Sequence, residues 1–406
     1  MSRRLCPLIV AAALACTAHE PGPSPELARV ARRPLPAEPP ELLPQSTPIE
    51  PYTPLHHKPF TGAVGDVTGD GQPDVVALCH GDDASALVVL AGAPDGTFLE
   101  GQPTAAPGHG LALGDLDRDG DLDALLLDAS GAPKYRVAVN DGAGSWTIGR
   151  AHAIPGRFGG ELRGAALRDL DGDGRLDAAV PLWDSVRLLR GDGAGGFTPG
   201  ERLAVGRDPF AVELGDLDGD GVLDLATISG AGPARGRDEY ESGGASAWIF
   251  RGQAGLRFAA PVRVEISGAR ALALTDLNGD GALELAVHGA AGLTLLHDPL
   301  GARRRERVEL ASDGPLVSAD LIGDARPELI TSSFMQGRVH LLTSDPARPR
   351  RSIEAGSFAV GLFVEHVQKD SLRPALIVLN AGPPGPPYGA PAPSVEVLLP
   401  EQLDPS

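Results

Sequence analysis

One short acidic motif recurs along the chain at near-constant intervals, and that repetition limits the fold more than any other feature. The motif is Asp-x-Asp/Asn-x-Asp-Gly-x-x-Asp/Glu followed by an apolar run, and copies start at Asp66, Asp115, Asp169, Asp216 and Asp276. A decayed sixth copy starts at Asp320, with Ile322 at its third position and Ala325 in place of the glycine. A ruined seventh, from His366 to Pro374, is recognised by its flanks. Each unit is about 50 residues long, which is the period of propeller blades. Seven units take up residues 51–406, which is too long for one ordinary compact domain but suits a repeat array.

Within a unit, an apolar strand (Leu111-Ala-Leu-Gly; Ala211-Val-Glu-Leu-Gly) precedes the acidic loop. A second apolar run follows it (Val75-Val-Ala-Leu; Ala124-Leu-Leu-Leu; Leu225-Ala-Thr-Ile). A third strand (Val186-Arg-Leu-Leu) then turns through a glycine-rich loop, Gly191 to Phe197, into a fourth. Four short strands per unit, separated by turn chemistry, make an all-β chain. The 53 glycines and 38 prolines fit that turn density. Aromatics are only 4%, so the core rests on Val, Leu, Ile and Ala. Sheets of four strands repeated radially form a β-propeller. The expected fold is therefore seven four-stranded blades, with the acidic loops between the first and second strands. The last unit ends at Ser394-Val-Glu-Val-Leu-Leu399 and is short of one strand. Residues 46–58 are expected to supply it and close the ring, which protects the sheet edges.

The units resemble FG-GAP and VCBS repeats, the blades of integrin-α-like propellers. Gly191-Asp-Gly-Ala-Gly-Gly-Phe-Thr-Pro-Gly200 followed by Val212-Glu-Leu-Gly-Asp-Leu-Asp-Gly-Asp-Gly-Val-Leu-Asp-Leu225 carries the likeness most closely. The resemblance spans the chain beyond residue 50, and the sixth and seventh acidic loops depart from it. In relatives the calcium hairpins lie on one face of the ring and partners dock on the other.

The first residues read as an address. Arg3 and Arg4 precede an apolar run from Leu5 to Ala15, too short to span a bilayer as a mature helix. Ala13-Leu-Ala-Cys16 resembles the lipobox of bacterial lipoproteins, although that pattern prefers Leu where Ala13 stands. Residues 1–16 are then a lipoprotein-type signal with Cys16 as the lipidated residue, and a membrane is met only through that anchor. An ordinary secretion signal cleaved near Ala18 is the other reading. Residues 17–50 hold nine prolines and no apolar periodicity, a semi-rigid spacer of extended chain. The implied location is the outer membrane or cell surface of a bacterium, otherwise the medium, and a monomer is expected. With Cys6 and Cys16 in the leader, only Cys79 lies in the body, so no disulfide framework is possible.

The acidic loops suit calcium, which takes six to eight oxygen ligands in flexible geometry. Side chains at loop positions one, three, five and nine supply carboxylates, and position six is a glycine that permits the sharp turn. The loop start matches an EF-hand, but the ninth position is acidic and a strand follows. The candidate ligands are Asp66, Thr68, Asp70 and Asp74; Asp115, Asp117, Asp119 and Asp123; Asp169, Asp171, Asp173 and Asp177; Asp216, Asp218, Asp220 and Asp224; and Asp276, Asn278, Asp280 and Glu284. Four or five calcium ions are expected. These aspartates could instead be turn formers without metal. Against that, clustered carboxylates repel unless a cation sits among them.

A formal net charge of −19 makes nucleic acid a poor partner. Gly-x-Ser-x-Gly, His-Glu-x-x-His and P-loop motifs are absent from the sequence. The reading is a non-enzymatic recognition or adhesion propeller with a protein or glycan ligand. A propeller-type polysaccharide lyase or hydrolase, and a structural role in envelope assembly, are the alternatives. Six residues before each motif stand Phe60, His109, Arg163, Phe210 and Arg270, which either ring the channel mouth as a ligand face or are turn and strand-start residues. The longest insertion, Gly230–Gly244, and the Pro-rich stretch Pro383–Pro393 are further loop candidates. Arg190-Gly-Asp192 is an integrin-binding tripeptide by composition, here inside a repeat turn and taken as chance.

Overall fold

The computed structural model describes residues 53–54, 58–80, 85–159, 164–229, 245–290, 292–310, 312, 314–333, 337–343, 350–355, 359–365, 367, 374–381 and 393–399. The leader with Cys16, the spacer, the Gly230–Gly244 insertion, Arg163 and most of Pro383–Pro393 lie outside them.

The described residues form seven antiparallel blades, one per repeat, and one separate two-stranded hairpin. Blade one is Lys58–Gly65, Asp74–His80, Ser85–Gly92 and Phe98–Glu100, from innermost to outermost. Blade two is Gly110–Gly114, Asp123–Asp128, Lys134–Asn140 and Trp146–Ile148. In these two blades a short extra strand, Thr104–Ala105 or His152–Ala153, also pairs with the third strand. Blade three is Ala166–Arg168, Asp177–Leu182, Ser185–Gly191 and Phe197–Ala204. Blade four is Pro209–Gly215, Asp224–Ser229, Ser246–Phe250 and Val262–Glu265, with a small hairpin of Gly252–Gln253 and Arg257–Phe258. Blade five is Ala271–Thr275, Glu284–Gly289, Gly292–His297 and Arg304–Val308. Blade six is Leu316–Ala319, Glu328–Ser333, Arg338–Leu342 and Arg351–Glu354.

Blade seven takes three strands from the C-terminal end, Ala359–Glu365, Ala375–Asn380 and Ser394–Leu398, and its fourth from the other end of the fold. Thr53 and Pro54 pair antiparallel with Val395 and Ser394. Within the stretch 46–58 expected to close the ring, Thr53 and Pro54 do so, while Lys58 instead opens the innermost strand of blade one; the other residues of that stretch lie outside those described. Innermost strands touch in ring order, and that of blade seven meets that of blade one.

The second strand explains why blades stack. It lies between two sheet neighbours and two blade neighbours, so every residue from Asp123 to Asp128 and from Asp177 to Leu182 is buried. Side chains alternate between faces along a strand. Val75, Ala77 and Cys79 therefore pack toward blade seven, while Val76 and Leu78 pack toward blade two. The apolar interior is accordingly divided among the blade interfaces. The cluster joining blades one and seven includes Leu90, Ile377, Leu379 and Val395. Outer strands are wet: Arg304–Val308 reads as four exposed residues and one half-buried one.

A variant beginning at residue 55 loses the strand that covers Ser394–Leu398 and leaves a sheet edge open. We expect its melting temperature to fall by at least about 5 °C, with concentration-dependent association by light scattering. An unchanged melt would show that the closing strand contributes little.

Candidate metal centres in the acidic loops

Each acidic loop connects the first and second strands of its blade, and its geometry repeats. The first aspartate folds the loop around itself. Asp216 Oδ1 accepts the amides of Gly219 at 2.7 Å and Asp220 at 3.1 Å, and its Oδ2 accepts Gly221 at 2.9 Å. Asp169 and Asp320 do the same. The fifth-position carboxylate accepts the amide two residues on, as Asp220 does from Val222 at 2.9 Å and Asp119 from Asp121 at 3.0 Å. This is a local Asx turn. The turn needs two left-handed residues, at positions four and six: Gly219 has φ 76° and Gly221 φ 83°. Position six was legible as the motif glycine; position four was not, and in blade two Arg118 holds it at φ 67°.

The ninth-position acid does something different. Asp224 is fully buried, with Oδ2 accepting Leu217 N at 2.8 Å and Oδ1 accepting Gly252 N at 2.7 Å. One carboxylate thus ties the loop to the end of the third strand. Asp123 makes the same pair with Leu116 and Asn140, and Asp177 with Leu170 and Gly191. Asp74 bonds Val67, Thr68 and Gly92. The residue held at loop position two is a buried apolar plug: Val67, Leu116, Leu170, Leu217, Leu277 and Leu321. The recurrent Val or Leu in Asp-Val/Leu-x was the sequence signal for it.

Three loops bring their first, third and ninth carboxylates together. Asp115, Asp117 and Asp123, then Asp169, Asp171 and Asp177, then Asp216, Asp218 and Asp224 each offer oxygens within 4.8 Å of one another. Burial, then neighbouring carboxylates, hold Asp117 above the ordinary carboxylate pKa. Burial raises Asp123, Asp177 and Asp224 too, against the pull of their amide donors. The donor set is all oxygen, and Asp171 Oδ1 is buried with no hydrogen-bond partner. An anionic oxygen left so is costly unless a cation completes it. The residues present therefore fit a hard divalent cation.

The third-position acids of blades three and four also meet arginines: Arg190 pairs with Asp171, and Arg251 Nη2 lies 2.7 Å from Asp218 Oδ2. Arg190, Gly191 and Asp192 of the tripeptide are thus all engaged by their own blade, Asp192 by accepting the amides of Ala194 and Gly196. In blade five the Asn278 amide donates to Glu284 Oε1, and His297 Nδ1 lies 3.3 Å from the same oxygen. In blade one, position three is Thr68. Blade six keeps Asp320, Asp324 and buried Glu328, whose Oε2 accepts Leu321 N at 2.8 Å; Ile322 stands at position three.

At the other face, Phe60 is half-buried against the cluster between blades one and two. His109 is exposed, its Nδ1 accepting Ala129 N at 3.1 Å. Arg270 is exposed, its amide bonded to His288 O. Phe210 lies in the irregularity between Pro209 and Ala211. Sequence reasoning missed Trp183, in the turn between the second and third strands of blade three, with the Arg157 guanidinium 4.3 Å above its ring.

Asp224→Ala would strand two buried amides, and we expect a loss of about 3 kcal/mol by denaturant titration in chelator. Asp220→Ala, at an exposed turn, should cost under about 1 kcal/mol; equal losses would contradict the assignment. Burial pushes Glu328 up to about 7. Its unfolded value is lower, so stability present in acid is lost as pH rises from about 4.5 through 7. Glu328→Gln should be more stable than the parent by about 2 kcal/mol at pH 8, with the gap closing by about pH 4.5. A constant gap would show that the carboxylate charge is not the cause.

An FG-GAP-like repeat family model matches residues 66–126 and 115–180. No curated protein matches the chain in sequence. Among solved structures, the chain is similar to an Agrocybe aegerita lectin that recognises non-reducing terminal N-acetylglucosamine. That match has TM-score 0.50 and 19% identity, over 75% of this chain and 82% of the lectin. It is also similar to BBS1N from its complexes with ARL6DN, at TM-score 0.56 and 11% identity over 84% of this chain and 92% of the other, and at 0.54 and 11% over 85% and 93%. At these identities the likeness is one of fold. The chain is a seven-bladed β-propeller that carries FG-GAP-like repeats.

Proposed function

We propose that the protein is a calcium-stabilised, non-enzymatic recognition propeller, exported by a bacterium and held at the cell surface through a lipid on Cys16. The observation that carries the calcium half is the gathering of three carboxylates in each of blades two, three and four, on loops already shaped by their own backbone bonds. Calcium is favoured over magnesium because the loops offer many protein oxygens in flexible geometry. An ion bound only by the folded chain stabilises it by mass action.

For the recognition half, the face opposite the acidic loops carries the support. There the Trp183 ring with Arg157, and the exposed His109 and Arg270, present aromatic and cationic groups on loops set by a rigid scaffold. Aromatic rings and forked donors are the chemistry that binds sugar faces and hydroxyls, and the Agrocybe lectin uses the same fold to recognise a terminal sugar. A protein or glycan ligand is therefore expected at that face, with calcium acting in stability.

The test is a glycan and secreted-protein array probed with calcium and with chelator, beside a melting curve in each buffer. Calcium should raise the melting temperature by at least about 5 °C, and binding should be lost on Trp183→Ala or Arg270→Ala. Coincident melts would overturn the calcium half. Binding untouched by both substitutions would move the ligand site elsewhere.

A further inference from the structure

The blades are close copies, so a residue at one register position can be compared around the ring. The residue after the third-strand partner of the first apolar residue following the ninth acid sits beside the acidic loop. Leu189 pairs with Ala178 and is followed by Arg190; Phe250 pairs with Leu225 and is followed by Arg251; Leu296 pairs with Leu285 and is followed by His297. In blades one and two the corresponding pairs, Leu90 with Val75 and Ala138 with Ala124, are followed by Ala91 and Val139. Three consecutive blades thus place a basic side chain at one register, and each one reaches an acid of its own loop: Asp171, Asp218 and Glu284.

We propose that Arg190 and Arg251 are tethered counter-ions that split the three carboxylate trios into two classes. Blade two, with Val139 at that register, takes calcium tightly. Blades three and four take it weakly, because a guanidinium already holds one oxygen of the third-position acid and repels a second cation nearby. The same arginines keep those two loops folded when calcium is scarce. The inference rests on the calcium reading above. A second observation in blade three is that the arginine leaves one oxygen unengaged: the Asp171 side chain is 4% exposed, its Oδ2 faces Arg190, and its buried Oδ1 has no hydrogen-bond partner. Arg190 is itself 46% exposed and Arg251 51%, so water screens both charges. The expected effect is on the order of tenfold in affinity per site rather than exclusion of the ion.

The test is calorimetric calcium titration of the chelator-stripped protein, with its calcium-free melting curve as an independent readout. The parent should show one tight site and two that are weaker by about tenfold or more. Asp117→Asn should remove the tight site alone. Arg190→Gln with Arg251→Gln should tighten the two weak sites by about tenfold and lower the melting temperature of the calcium-free protein. Three equal sites in the parent, or arginine variants whose affinities stay the same or weaken, would overturn the inference while leaving calcium binding intact. Weakening in particular would mean that the arginines position the carboxylates. An absence of any calcium heat in parent and variants alike would bring down the calcium reading and this inference together.

Discussion

A fully buried carboxylate, placed at the same point in successive blades, is the interaction on which the architecture turns. Asp74, Asp123, Asp177 and Asp224 each take a backbone amide from the second residue of the acidic loop and another from the end of the third strand. That one group fixes the loop over the sheet, sets an apolar plug between blades and starts the buried second strand. The cost is a charge held out of water. Burial accordingly raises the pKa of each of these acids.

A nearby positive charge would offset that cost, and the blades differ in what surrounds the acid. Blade two gathers Asp115, Asp117 and Asp123 and has an uncharged residue at the neighbouring third-strand position. Blades three and four gather equivalent trios and add an arginine. Blade five replaces one acid by Asn278 and brings His297 to Glu284. Blade six carries Ile322 in place of the third acid, and its Glu328 is pushed up to about 7. The repeats have kept the backbone of one loop while varying how its negative charge is balanced. Variation of the charge balance is compatible with stacking, because the apolar clusters shared by neighbouring blades draw on strand residues as well as on the loop plugs.

The ring was largely readable from the residues. Recurrence of the motif gave the blades and their number, and the place of the acidic loops between first and second strands follows from the apolar runs on either side. The missing fourth strand of blade seven was also legible: Thr53–Pro54, the described part of the expected stretch, pair with Ser394 and Val395, and Lys58 belongs to blade one instead. Within the loops, the motif marked the acidic positions but not their separate duties. The first aspartate wraps the loop, the fifth closes an Asx turn, and the ninth bridges two segments far apart in sequence. A linear motif cannot display that last role, since Gly252 lies 28 residues from Asp224. The pairing of Arg190 with Asp171 was hidden for the same reason, because it depends on strand register. The Trp183–Arg157 stack joins residues on different turns and leaves no periodic trace.

The proposed calcium would sit between the first, third and ninth carboxylates of these loops. Long-wavelength anomalous diffraction from crystals grown in calcium tests this placement most directly. A calcium peak bounded by Asp115, Asp117 and Asp123 is the expected result. A difference map that is featureless there, with the three side chains turned to solvent, would contradict it.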